Sequence, residues 1–107
     1  MKQKRTQQIE RRIQAIKESL AKMGPMRPGS LTRQYRIPKK QIGGYYQISY
    51  THKMKSRTEY VRRAFVAKIR REIASYKRFK HLTQAWVDLA IERSKLALEI
   101  AKRTASK

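Results

Sequence analysis

The chain has 107 residues, of which 28 are Lys or Arg and 7 are Asp or Glu, so its formal net charge at pH 7 is +21. A chain of this length forms at most one small domain, and a charge this large favours a polyanionic partner. The absence of cysteine excludes disulfides, thiolate zinc sites and cysteine nucleophiles. No apolar run is long enough for a secretory signal or a membrane span. We therefore expect a cytoplasmic protein that does not bind membranes.

The basic charge is unevenly distributed along the chain. Residues 1–81 have a net charge of +19, whereas residues 82–107 have a net charge of only +2. A surface that binds a polyanion is therefore expected within the first three quarters of the sequence.

The first predicted element is an amphipathic helix within residues 1–23. Its apolar residues are spaced 4, 3, 4 and 3 positions apart, which is the spacing of a heptad stripe. These residues are Ile9, Ile13, Ile16, Leu20 and Met23. Gly24 and Pro25 follow directly and predict the end of the helix.

Residues 24–81 predict a basic module made of a β-sheet and the start of a long helix. In "SLTRQYRI", Leu31, Tyr35 and Ile37 alternate with polar residues, and Arg33 is an exception on the apolar side. The connection "PKKQIGG" leads to a hairpin whose turn is "THKMKS". Because an isolated hairpin is only marginally stable, we expect a three-stranded antiparallel meander.

From about residue 63 onward the sequence contains neither Gly nor Pro and predicts one long C-terminal helix. Its first turns carry Phe65, Val66, Ile69, Ile73 and Tyr76, which would cover the apolar face of the sheet. Residues 82–107 continue on a re-phased apolar stripe that we assign to self-association or partner docking. The stripes of the two helices would pair within one chain, between two copies, or with another protein. The predicted fold is α+β: N-terminal helix, three-stranded antiparallel β-meander and long C-terminal helix.

The sequence offers no convincing catalytic or metal site. His52 and His81 have no acidic residue at the spacing of a metal site or a catalytic triad. Asp88 and Glu92 lie four residues apart, which would suit a shared metal, but a solvated helix face is the more frequent meaning of this pattern. We therefore predict no enzyme, no metal and no cofactor.

The basic residues around the hairpin and the start of the last helix lack the acidic neighbours of an ordinary solvated face. Their density favours nucleic acid over an acidic protein or a membrane surface. The predicted nucleic-acid-binding residues are Arg33, Arg36, Lys39, Lys40, Tyr45, Gln47, Lys53, Lys55, Arg57, Arg62, Arg63, Lys68, Arg70, Arg71, Lys77 and Arg78.

Alternation along the strands assigns a set of polar side chains to the outer face of the sheet. This set is Thr32, Gln34, Arg36, Gln47, Ser49, Thr51 and Arg57. Such side chains reach base edges and phosphates when strands lie in a groove, and an ordinary solvated sheet face has the same composition. Tyr45 on this face would stack on a base, which would favour a single-stranded or RNA target.

Four short motifs lie between residues 29 and 82: "GSLTRQYR", "GGYYQISY", "KSRTEYV" and "ASYKRFKHL". Together they resemble an uncharacterised family of small basic prokaryotic domains, whose members accompany transposases and other mobile elements. Members of that family often have cysteines between the first two strands, where this chain has "IPKKQIGG". The resemblance implies a role in a DNA transaction and does not name an activity.

The leading hypothesis is a non-enzymatic protein that binds duplex DNA through a basic sheet, hairpin and helix surface, as an accessory factor of a mobile element. The first alternative is an RNA-binding protein that stabilises a structured RNA or a ribonucleoprotein. The second alternative is a helical adaptor that forms a homodimer or docks onto a larger protein. The corresponding expected location is the nucleoid or a ribonucleoprotein particle in the cytoplasm.

Overall fold

The structure is a computed structural model and describes residues 2–105. Its main elements are α1 (Lys2–Ala21), β1 (Ser30–Ile37), β2 (Ile42–His52), β3 (Lys55–Val61) and α2 (Val66–Ala105). The strands form one antiparallel sheet in the order β1-β2-β3. The predicted α+β fold is therefore confirmed. In the described part of the chain, neither helix combines the length and apolarity that crossing a membrane requires.

The chain divides into two compact units. The sheet unit is Gly24–Arg78 and contains the three strands and the first turns of α2. The helical unit is formed by the two segments that flank it and contains α1 and the remainder of α2. The division falls after Arg78, whereas the sequence places this boundary after residue 81. The predicted N-terminal segment is not a unit by itself, because it packs with the distal part of α2.

In the helical unit, the apolar stripes of α1 and distal α2 pack against each other. Ile9 of α1 is fully buried, and Leu89 of α2 is only 5% exposed. Arg5 donates to both carboxylate oxygens of Glu92, at 2.6 and 2.9 Å. The sequence left open whether these stripes pair within one chain, between two copies or with another protein. In the structure they pair within one chain.

Two further ion pairs join the two helices. Arg93 contacts the carboxylate of Glu10 at 2.8 Å, and Lys2 pairs with Glu99. The hydrogen bond from Lys2 and its charge lower the pKa of Glu99. Arg93 therefore does not simply interrupt the apolar stripe of α2, since it bonds to a carboxylate of the facing helix.

The core of the sheet unit lies between one face of the sheet and the start of α2. It is centred on Ile48, Val61 and Ile73, with Leu31 and Ile69 packed against them. Tyr46 and Val66 also contact this cluster. Phe65, which was expected to cover the sheet, is instead 52% exposed. It lies in a 3-10 turn (Arg63–Phe65) that precedes α2, so its side chain is not on the helix face that the periodicity assumes.

The β2–β3 hairpin has a shorter turn than the sequence suggests. His52 pairs with Lys55, so only Lys53 and Met54 connect the strands. Their φ angles are 51° and 66°, and two left-handed residues in a two-residue loop define a type I′ turn. This turn matches the right-handed twist of the strands, which explains why pairing continues to its base.

Candidate nucleic-acid interface

The sheet unit concentrates positive charge and has few carboxylates to neutralise it. Its sequence contains 15 Lys and Arg and only two acidic residues, Glu59 and Glu72. Glu59 accepts hydrogen bonds from Arg27 and, at 2.8 Å, from the hydroxyl of Tyr50, and these bonds lower its pKa. Glu72 lies 3.9 Å from the Lys68 ammonium. Both carboxylates are thus already engaged, and the unit keeps a net charge of +13.

Arg27 is a structural residue that sequence reasoning missed. Its backbone N–H donates to the carbonyl of Glu72 at 3.0 Å, and its guanidinium lies 5.0 Å from the centre of the Tyr50 ring. Together with the bond to Glu59, these contacts tie the linker before β1 to β3 and α2. The available signal was that Glu59 is the only carboxylate in the three strands, so it needed a cation from elsewhere.

The register confirms most of the predicted outer face and corrects one member. Thr32 lies opposite Gln47, and Ser49 opposite Thr58, all facing away from the Ile48 core. Arg57 lies opposite Tyr50, so its side chain belongs to the same face as Ile48 and was wrongly assigned. The side chains that β3 contributes to the outer face are those of Ser56, Thr58 and Tyr60.

The outer face is polar, and its hydroxyls bond to one another. Ser49 and Thr58 are 3.2 Å apart, and the amide of Gln34 donates to the hydroxyl of Thr32 at 3.2 Å. The face carries one aromatic pair, Tyr45 and Tyr60, with ring centroids 6.5 Å apart and planes inclined by 43°. Tyr60 is 68% exposed. Sequence analysis identified Tyr45 but missed Tyr60, because the assignment of Arg57 to the outer face places Tyr60 on the inner one.

Arg33 and Arg36 lie on opposite faces of the sheet, and the side chain of each lies close to a glycine of β2. A Cβ on Gly44 would lie 3.0 Å from the Arg33 guanidinium, and one on Gly43 would lie 3.1 Å from the Arg36 stem. The Arg33 guanidinium also lies 5.9 Å from the centre of the Tyr46 ring. Gly43 and Gly44 are strand residues and not part of the connection, and they make room for the two arginines.

The remaining strand-end cations form two groups at opposite ends of β2. Lys53 and Lys55 lie at the hairpin, whereas Lys39 and Lys40 lie in the 3-10 turn before β2. The 11 residues of β2 separate these two groups, which corresponds to about 35 Å. Arg62 and Arg63 follow β3 and therefore lie towards the second group.

The cations of proximal α2 also divide between different sides of the helix. Arg70 and Lys77 line a groove of about 390 Å³ beside the start of β1, which we call the β1 groove. Lys68 and Arg62 line a second groove of about 430 Å³ beside β3. Helical spacing places the exposed Arg71 and Arg78 about 160° and 140° from buried Ile73. These two cations therefore lie on the side of α2 that faces away from the sheet.

No family model matches this chain, and neither the curated proteins nor the solved structures contain a significant match. The resemblance to domains that accompany mobile elements therefore stays a prediction. Within residues 2–105, no group of His, Asp and Glu side chains is arranged to hold a metal ion. Asp88 accepts a hydrogen bond from Gln84 at 3.1 Å, while Glu92 binds Arg5.

Proposed function

We propose that this protein binds nucleic acid without catalysing a reaction, and that its target is the phosphate backbone of duplex DNA. The observation that carries the proposal is the charge state of the sheet unit: 15 basic residues, with two carboxylates that other groups already engage. Cations without internal carboxylate partners repel one another, and phosphates relieve that repulsion. Binding also releases the counterions condensed on DNA, which favours association.

The spacing of the two strand-end groups supports a duplex target. The hairpin lysines and the lysines before β2 are separated by about 35 Å along β2. One turn of B-DNA is about 34–36 Å long. A duplex that lies along the sheet would therefore present phosphates of successive turns to both groups.

The salt dependence of binding to a short duplex tests the proposal. If 6–10 phosphates are neutralised, affinity falls by roughly 10³- to 10⁵-fold between 50 and 200 mM salt. Fluorescence anisotropy with a labelled duplex of about 30 base pairs measures this directly. An affinity that does not change with salt, or no binding at 50 mM salt, would refute the proposal.

The outer face supports a second candidate function, binding of unpaired bases in RNA or single-stranded DNA. Tyr45 and Tyr60 expose an aromatic pair among hydroxyl and amide side chains. Aromatic side chains on a sheet stack on unpaired bases, and each base contributes about 1–3 kcal/mol. Competition among duplex DNA, single strands and a folded RNA at one salt concentration separates the two candidates. Loss of single-strand binding in Tyr60→Ala, with duplex binding retained, would favour this one.

The accessory role at a mobile element rests on the motif resemblance and is part of the same proposal. If it is correct, DNA that copurifies with the protein from its native cell is enriched in the ends of mobile elements, and the protein lies with the nucleoid. Recovery of one structured RNA would favour the ribonucleoprotein alternative.

The adaptor alternative retains one supporting observation. Val87, Ile91 and Leu98 on distal α2 are at least half exposed, although the main apolar stripes cover each other. Light scattering and crosslinking of the pure protein test it. A protein that assembles through these residues and does not bind DNA or RNA would favour the adaptor.

A further inference from the structure

The tip of the β2–β3 hairpin presents an apolar side chain almost entirely to solvent. Met54 is 97% exposed, the highest value among the exposed large apolar residues of the described chain. It is the second residue of the two-residue turn that connects β2 and β3. Burial of this side chain against a partner would remove apolar surface from water and would therefore favour binding.

The backbone of the turn is strained. Lys53 and Met54 both have left-handed φ angles, of 51° and 66°. L-residues with a Cβ rarely adopt this conformation, and type I′ turns strongly prefer Asn-Gly, which adopts it without strain. Backbone strain of this kind is often found at functional sites, where the surrounding structure maintains it. Met54 thus combines a strained backbone with an almost fully exposed apolar side chain.

Cations surround this methionine. Lys53 and Lys55 flank it in sequence, and Arg57 lies two residues further along β3. Residues 50–58 contain no acidic side chain. These cations therefore attract a polyanion to the hairpin turn that carries the exposed Met54 side chain.

We propose that Met54 inserts between two stacked base pairs of duplex DNA and kinks the duplex, while Lys53 and Lys55 bind the phosphates on either side. This inference rests on the proposed function and specifies how the hairpin engages the duplex: the duplex that runs along the sheet bends over the hairpin end, where a base step faces Met54. A narrow, unbranched and flexible side chain suits insertion at a base step. Apolar wedges of this kind bend DNA by about 20–90° where a protein inserts them.

The proposal also accounts for the strained turn. Insertion buries the methionine side chain among base rings, so the apolar surface that is exposed in the free protein leaves water on binding. A turn of only two residues holds the side chain in one direction, because pairing of the strands continues to His52 and Lys55. A glycine in this turn would relieve the strain and remove the wedge.

Met54→Gly is the test variant, and Met26→Gly is its matched control. Met26 is a partly exposed methionine of the same unit, outside the hairpin. Energy transfer between dyes at the two ends of a duplex reports the bend, and 2-aminopurine fluorescence reports unstacking. We expect the unmodified protein and Met26→Gly to bend and unstack the duplex, whereas Met54→Gly binds it with an unchanged salt slope and leaves it straight.

Two further measurements separate the possible causes. Met54→Leu retains an apolar side chain, so it should retain most of the bend. The melting temperature of free Met54→Gly should rise, because a strained turn is relaxed; this excludes unfolding as the reason for a lost bend. If Met54→Gly bends and unstacks DNA as the unmodified protein does, the proposed insertion of Met54 is refuted, while the proposed DNA binding is not. If the unmodified protein does not bind duplex DNA at 50 mM salt, the proposed function itself fails.

Discussion

The two units of this protein use their charges in different ways. In the helical unit, Glu10, Glu92 and Glu99 each bond to a cation of the facing helix, so ion pairs border the apolar contact. In the sheet unit, two carboxylates meet 15 cations, and most of the positive charge has no acidic residue in that unit to neutralise it. The comparison teaches that net charge alone does not identify a binding surface. The number of carboxylates available to each set of cations distinguishes the two units.

The largest expected effect is the loss of stability when a buried isoleucine of either unit is truncated, and it tests which unit carries the DNA interface. Ile48 and Ile9 are both fully buried, one in each unit. Truncating either to Ala removes buried methyl groups and leaves a cavity, which typically costs about 2–5 kcal/mol. Chemical denaturation should show this loss for both variants. Only Ile48→Ala should also weaken DNA binding; an equal loss of binding in Ile9→Ala would show that the helical unit contributes to the interface.

The second prediction compares cations of the two units directly. Arg57→Ala with Arg62→Ala should weaken DNA binding more than Arg93→Ala with Arg103→Ala, and should reduce the salt slope by about 2. Because Arg93 bonds to Glu10, its loss also disturbs the helical unit. Lys95→Ala with Arg103→Ala is therefore a cleaner control. Anisotropy titrations at several salt concentrations measure the slopes, and equal losses would mean that the interface lies elsewhere.

The third prediction sharpens the comparison within one helix. Arg70 and Lys77 line the β1 groove, whereas Arg71 and Arg78 lie on the other side of α2. If DNA lies against the groove side, Arg70→Ala with Lys77→Ala reduces the salt slope by about 2, and Arg71→Ala with Arg78→Ala reduces it less. Both double substitutions remove two positive charges. A difference between their salt slopes therefore reports contact with DNA and not the change in net charge. The reverse order would place the duplex on the outer side of α2.

The smallest expected effect concerns pH and the helical unit. Hydrogen bonds and charge from Arg5 and Lys2 lower the pKa values of Glu92 and Glu99 from 4.5. A carboxyl whose folded pKa is depressed stabilises the fold above its unfolded pKa, and this stability is lost as the pH falls through the folded value. When the pH is lowered below about 4.5, the melting temperature should therefore decrease. In the Glu92→Gln variant, the melting temperature should decrease less over this pH range. If it decreases as much as in the unmodified protein, other titrating groups cause the decrease.

Several features of the fold could be predicted because they depend on local patterns. The 4, 3 spacing from Ile9 onward predicts α1, alternation in residues 30–37 predicts β1, and the lack of Gly and Pro after residue 63 predicts α2. The polar composition of the outer face also follows from alternation. Arg57 was assigned to the wrong face although the predicted turn "THKMKS" already places it opposite Tyr50, and a shift of one residue in this register would reverse the faces of β3.

The sequence by itself determined the type and order of the elements, the excess of positive charge and its concentration before residue 82, because periodicity and composition are properties of neighbouring residues. Only the tertiary structure decided which cations have partners. Arg27 meets Glu59, which lies 32 residues away, and Arg5 meets Glu92, which lies 87 residues away. Such pairs depend on how distant segments are brought together in the folded units, and no local pattern encodes them.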